Sequence, residues 1–84
     1  MVYNLLYKVG DKLYKTYAVG EFREVSKLFN DLHRRALNKN YRIVCRAQGN
    51  MGVELHYSNG VQMVFLLLCT EYERKLWWTK KIEC

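Results

Sequence analysis

The sequence predicts an α+β domain, and three observations predict it. An apolar alternation recurs on both sides of Gly10-Asp11-Lys12, one long stretch is amphipathic, and an Asn59-Gly60 pair sits between two alternating segments. The expected order is an N-terminal β-hairpin, one amphipathic helix packed on an antiparallel three-stranded meander, and a C-terminal helix or returning strand. Residues 1–84 read as a single compact domain, because 84 residues leave no room for a second core.

Val2–Val9 and Leu13–Val19 are rich in β-formers. A three-residue connection sets Val9 against Leu13, Leu5 against Tyr17 and Tyr3 against Val19, which gathers the apolar side chains on one face. Gly20 is read as a break, after which Glu21–Leu37 is helical. Phe22, Val25, Phe29, Leu32 and Ala36 recur at spacings of three and four, and Leu28 widens the stripe. Glu21 and Glu24 at its start, with Arg34 and Arg35 at its end, complement the helix dipole. Asn38-Lys39-Asn40 is the stop signal.

Tyr41–Gln48 and Val53–Ser58 alternate on either side of a Gly49–Gly52 loop. A two-residue turn at Asn59-Gly60 would pair Tyr57 with Gln62, Leu55 with Val64 and Val53 with Leu66. The preceding loop would pair Cys45 with Leu55 and Ile43 with Tyr57. One face then holds Ile43, Cys45, Ala47, Val53, Leu55, Val64 and Leu66 as the floor for the helix. The other carries Arg42, Val44 and Arg46, then Glu54, His56 and Ser58, then Val61 and the apolar row Met63, Phe65 and Leu67. That row needs a cover, from the tail, the hairpin or a partner. Thr70-Glu71-Tyr72-Glu73 is a capping box that favours a helix from Glu71 to about Ile82. Leu76-Trp77-Trp78-Thr79 would serve instead as a returning strand.

Half of the residues are hydrophobic and the net charge is +6, which excludes a disordered tail. The longest uncharged apolar run, Met63–Cys69, falls far short of the roughly 20 residues of a membrane span. Lys8, Asp11 and Lys12 interrupt any secretory signal, so the expectation is a basic cytoplasmic protein with no membrane partner. Cys45 and Cys69 are expected as buried thiols, since an odd cysteine count closes no disulfide set, and the sequence assigns no role to Cys84. The cysteines and His33 and His56 lack zinc-ligand spacing, and there is no Gly-rich phosphate loop, so no metal or cofactor is expected.

The charge is concentrated. Between His33 and Gln48 lie Arg34, Arg35, Lys39, Arg42 and Arg46 with no acid, five of the six net positive charges. Guanidinium and ammonium groups neutralise phosphates, and aromatic faces stack on splayed bases. Arg34, Arg35, Lys39, Arg42 and Arg46 suit the first task; Tyr41, His56, Phe65, Trp77 or Trp78 suit the second. Alternation predicts that Arg42 and Arg46 both point away from the core face.

The helix–three strands–helix order over Glu21–Ile82 is similar to the double-stranded-RNA-binding fold and to small toxin ribonucleases. Glu71, Tyr72 and Glu73 stand where the RNA-binding family carries a lysine cluster. His56 sits on the middle strand, as the toxin histidine does, but Glu54-Leu55 replaces the glycine-serine approach to it. The likeness is one of order alone, and a shared fold is not a shared function.

The expected function is therefore that of a small non-enzymatic protein docking through a basic, aromatic-containing face on nucleic acid or a nucleic-acid-handling protein. Arg34, Arg35, Lys39, Arg42, Arg46, His56, Met63 and Phe65 are its candidate contacts. The alternative is a phage or mobile-element inhibitor that blocks one host protein by occlusion, using the Met63–Phe65–Leu67 row. A weaker alternative is a toxin-like ribonuclease with His56 as base and Arg42 beside the phosphate. Self-association as a homodimer would use the same row or an edge strand.

Overall fold

A computed structural model describes all residues from Met1 to Cys84. Its strands are β1 (Val2–Val9), β2 (Lys15–Glu21), β3 (Arg42–Gly49), β4 (Gly52–Ser58) and β5 (Met63–Thr70). Helix α1 spans Phe22–Asn38, the short helix α2 spans Glu71–Lys75, and a 3₁₀ turn covers Trp77–Thr79. The α+β class and the order ββαβββα follow the sequence pattern. All five strands join one antiparallel sheet in the order β2-β1-β5-β4-β3, so the hairpin and the meander share one sheet through β1 and β5. No helix is long and apolar enough to cross a membrane.

The central position of β5 explains its composition. Helix α1 lies on one side of the sheet and the tail on the other, so successive side chains of β5 are buried in opposite directions. Leu66 and Leu68 face the helix, where Leu5, Val25 and Leu68 form one cluster and Leu55, Tyr57 and Leu66 another. Leu67 and Cys69 face the tail, packed with Leu6, Ala47 and Trp77. Burying a leucine or valine stabilises by about 1.5–3 kcal/mol. The uninterrupted apolar run of β5 is thus a strand with no solvent side.

Strand β2 continues through Gly20 to Glu21 and passes directly into α1, so Gly20 is a strand residue rather than a break. Most of the stripe is used as expected: Val25 is buried, and Phe29, Leu32 and Ala36 pack on the sheet clusters, whereas Phe22 and Leu28 stay exposed. Tyr57, fully buried under the helix, is hydrogen-bonded to His33 Nδ1 at 2.6 Å. The helix stops where Asn40 adopts φ 67°, a left-handed conformation that asparagine tolerates. The Tyr41 N–H then donates to the Ala36 carbonyl at 3.0 Å, taking up one of the last orphan acceptors of the helix.

Three registers depart from expectation. In the hairpin, Leu6 opposes Thr16 and Tyr7 opposes Lys15, in the predicted phase. A bulge at Tyr17 then moves Leu5 opposite Ala18 and Tyr3 opposite Gly20, instead of Tyr17 and Val19. The β4–β5 connection has four residues, not two. The Asn59 side chain accepts from the Val61 N–H (2.9 Å) and the Gln62 N–H (2.7 Å), folding the loop so that Ser58 opposes Met63. Leu55 therefore meets Leu66 and Tyr57 meets Val64, a slip of two residues that leaves every side chain on its expected face.

The third departure has larger consequences. Ile43 opposes Tyr57 as expected, but the register shifts between Ile43 and Cys45 so that Cys45 opposes His56 and Arg46 opposes Leu55. The extra residue, Val44, reverses the alternation. Cys45 and Ala47 turn to the tail side, and Arg46 turns to the helix side. Arg42 and Arg46 do not share a face, and Glu54 stands opposite Ala47.

The tail is neither one helix nor a full strand. The Thr70 hydroxyl accepts from the Glu73 N–H at 3.1 Å, so half of the capping box forms, but α2 ends at Lys75. The chain then turns so that Trp77 falls on the sheet. A Cβ on Gly52 would lie 2.7 Å from the Trp77 ring and 2.8 Å from Cys69 Cβ, so the ring's seat needs a glycine there. Beyond it, Arg46 and Glu83 exchange two backbone hydrogen bonds of 2.7 Å, and Cys45 and Cys84 form a disulfide. Cys45 is thus not a buried thiol: the β3 bulge brings its sulfur to that of Cys84. Cys69 remains a free, fully buried thiol, its pKa pushed up to about 11 chiefly by desolvation.

Candidate functional site

The antiparallel sheet sorts charge by its ends. The end of β1, the starts of β2, β3 and β5 and the end of α1 meet at one pole. Exposed there are Lys12, Lys15, Arg35, Lys39 and Arg42, with Asp11 as the acid among them. The opposite pole is mixed: Glu21, Glu24, Glu71 and Glu73 stand there among Arg23, Arg74, Lys75 and Lys80, the last paired with Glu73. Lys12 and Lys15 are far from the acid-free window in sequence. Only the hairpin's pairing beside β5 brings them to the same pole.

A cleft of about 410 Å³ opens at this pole, between the last turns of α1 and the sheet. Its floor is apolar, with Leu32 and Ala36 from the helix and Val64 and Leu66 from β5. Tyr7, Tyr17 and Tyr41 supply three aromatic rings, and Arg35 and Lys39, one helical turn apart, supply the charge. No acid lines it. The bulge in β2 contributes here: the Tyr17 ring stands edge-on to Tyr7, 6.1 Å between centroids. The Tyr41 hydroxyl donates to Gln62 Oε1 at 3.1 Å, which fixes the ring and leaves the Gln62 amide N–H groups directed by that bond. A larger hollow of about 690 Å³ lies at the opposite pole, where Glu71 and Glu73 share the lining with Lys80 and Met1.

The eight expected contacts fall into three places. Arg34, Arg35, Lys39 and Arg42 belong to the basic pole, although Arg34 is paired with Asp31 one turn back. Arg46 lies midway along the edge strand, held by the tail through its backbone. His56, Met63 and Phe65 are on the other side of the sheet.

That other side is largely closed. His56 is only 8 % exposed and its Nε2 is bonded to Glu54, whose second oxygen accepts from Trp77 Nε1 at 2.6 Å. Phe65 stacks edge-to-face with His56 at 4.4 Å and has the Lys8 ammonium over its ring at 4.4 Å. Tyr14 from the hairpin loop packs against the same cluster, and its buried hydroxyl has no hydrogen-bond partner. Burial, and then the charge of Glu54, hold that phenol protonated above its usual range. The protein itself covers this row in part: Leu67 is 4 % exposed, whereas Met63 and Phe65 are only partly buried. Of the aromatic candidates, Tyr41 reaches the cleft, Trp77 is buried, and Trp78 stands out into solvent, 84 % exposed.

Tyr7, Tyr17 and Gln62 were not among the expected contacts. The signal for Tyr7 and Tyr17 was their place on the predicted apolar face of the hairpin, which reads as core until the bulge turns it into a cleft wall. No family model, curated protein or solved structure matches the chain.

Proposed function

We propose that this is a non-enzymatic binding protein that docks on nucleic acid through its basic pole. The observation that carries the reading is the convergence of Lys12, Lys15, Arg35, Lys39 and Arg42 at one end of the sheet, around a cleft without acids. Each cation placed against a phosphate releases a counterion, so affinity follows the number of such contacts. The reading as a non-enzyme is supported by His56, whose ring nitrogen and faces are engaged by Glu54 and Phe65 rather than offered to a substrate. The occluding-inhibitor reading has less surface to use, because Lys8 lies over Phe65 and Trp77 packs with Leu67, leaving Met63 as the more open end of the row. A cytoplasmic location remains the proposal from the sequence; the Cys45–Cys84 bond weighs against it, because thiol reductants there oppose disulfides.

The test is a salt titration of binding to DNA and RNA. Affinity should fall with salt, and Arg35→Glu with Lys39→Glu should reduce the logarithmic slope by roughly 1.4–1.8. Absence of binding at low salt, or capture of a protein that survives nuclease treatment in its place, would overturn the reading.

A further inference from the structure

We infer that the tyrosine cleft holds an unpaired nucleobase, so that the protein selects single-stranded over duplex nucleic acid. The inference deepens the proposed function and rests on it. Phosphate recognition alone needs only exposed cations, such as Lys12 and Arg42 at the rim. The cleft is built differently. It is concave, apolar at its floor, walled by Tyr7, Tyr17 and Tyr41, and carries charge only at Arg35 and Lys39. Its volume of about 410 Å³ falls in the range of small-molecule sites, roughly 300–1,000 Å³.

A nucleobase matches each of these features. Its flat π-face stacks on a tyrosine ring, and Tyr17 is accessible for this, being 43 % exposed beside Tyr7. Its polar edge needs a partner at the mouth, where Gln62 is held by Tyr41. Its own phosphate carries the negative charge that Arg35 and Lys39 complement. In a duplex both π-faces are occupied by neighbouring bases, so a paired base has none to offer the cleft. The selection of single strands follows from the cleft, whereas general affinity follows from the pole.

Fluorescence anisotropy with three labelled oligonucleotides of equal length separates the two: a mixed-sequence single strand, the same strand made abasic, and the duplex. The single strand should bind more tightly than the abasic strand or the duplex. Tyr17→Ala should weaken single-strand binding roughly 5- to 150-fold, the range corresponding to one stacked base, and leave abasic-strand binding unchanged. Tyr17 is on the edge strand and half exposed, so the variant should retain the wild-type far-UV circular dichroism spectrum; Tyr17→Phe, which keeps the ring, should bind as wild type. Equal affinity for all three oligonucleotides, or a Tyr17→Ala loss that is the same on the abasic strand, would overturn the inference and leave the proposed function standing. No binding to any of them would overturn both.

Discussion

Replacing Gly52 by alanine tests the account of how the tail is seated. The added methyl would lie 2.7 Å from Trp77 Cζ3 and 2.8 Å from Cys69 Cβ, well inside contact distance. Neither neighbour can yield freely: Cys69 is fully buried in the central strand, and the indole is tied by its N–H to Glu54 at 2.6 Å. Overpacking of this kind costs about 1–3 kcal/mol, while exchanging glycine for alanine in a strand returns about 0.5–1 kcal/mol. The net expectation is a loss of about 1 kcal/mol. With a urea slope of about 1 kcal/mol/M for a domain this small, the midpoint should fall by about 1 M. Far-UV circular dichroism is the probe, because it does not depend on the indole. Repeating the substitution in a Trp77→Leu background should reduce the cost without abolishing it, since Cys69 Cβ remains in place. An unchanged or raised midpoint for Gly52→Ala, or equal costs in the two backgrounds, would refute the placement of Trp77 over β4.

Trp77→Phe keeps most of the ring but removes the donor to Glu54, and should cost about 1.5–3 kcal/mol in urea unfolding, as expected for a hydrogen bond to a charged group. Cys84→Ser opens a loop with a sequence separation of 39, for which chain entropy sets a ceiling of about 4 kcal/mol. Wild-type protein in reductant should unfold at the variant's urea midpoint. Stability should also fall on the alkaline side. Tyr57 is raised from 10.0 to about 12 and Cys69 from 9.0 to about 11 by burial, so the unfolded chain releases these protons first. Their contribution is complete below pH 9 and lost between pH 9 and 12; in urea midpoints measured across that range, Cys69→Ala should flatten the lower part and Tyr57→Phe the upper.

The elements were legible because each has a local cause: the stripe of α1, the Asn40 stop and the alternation of β4 are written within a few residues. Pairing that spans the chain was not. Nothing near Leu5 announces Leu68, and only burial of β5 on both faces makes the hairpin join the meander there. The β4–β5 slip was hidden in the Asn59 side chain, which competes for the Val61 and Gln62 N–H groups against a tighter turn. The two bulges were invisible for another reason. One added residue changes no composition or period that a short segment displays, yet it reverses every side chain beyond it. Val44 thereby separated Arg46 from Arg42 and supplied Cys45 to Cys84. The first four cations of the basic window lie together at one pole, and the fifth, Arg46, does not. Its partners Lys12, Lys15, Tyr7 and Tyr17 come from the hairpin, and their proximity is a product of topology rather than of spacing.

Because the surplus cations collect at one extremity while charge at the other is nearly balanced, the net charge is off-centre and the molecule carries a permanent electric dipole. A polyanion exerts a torque on such a body as well as a pull. The protein is rotated during diffusion so that its cationic tip arrives leading, which raises the share of productive collisions. Dissolved salt shortens the reach of that alignment to about 10 Å at 0.1 M, so salt acts on the association rate before it acts on any contact.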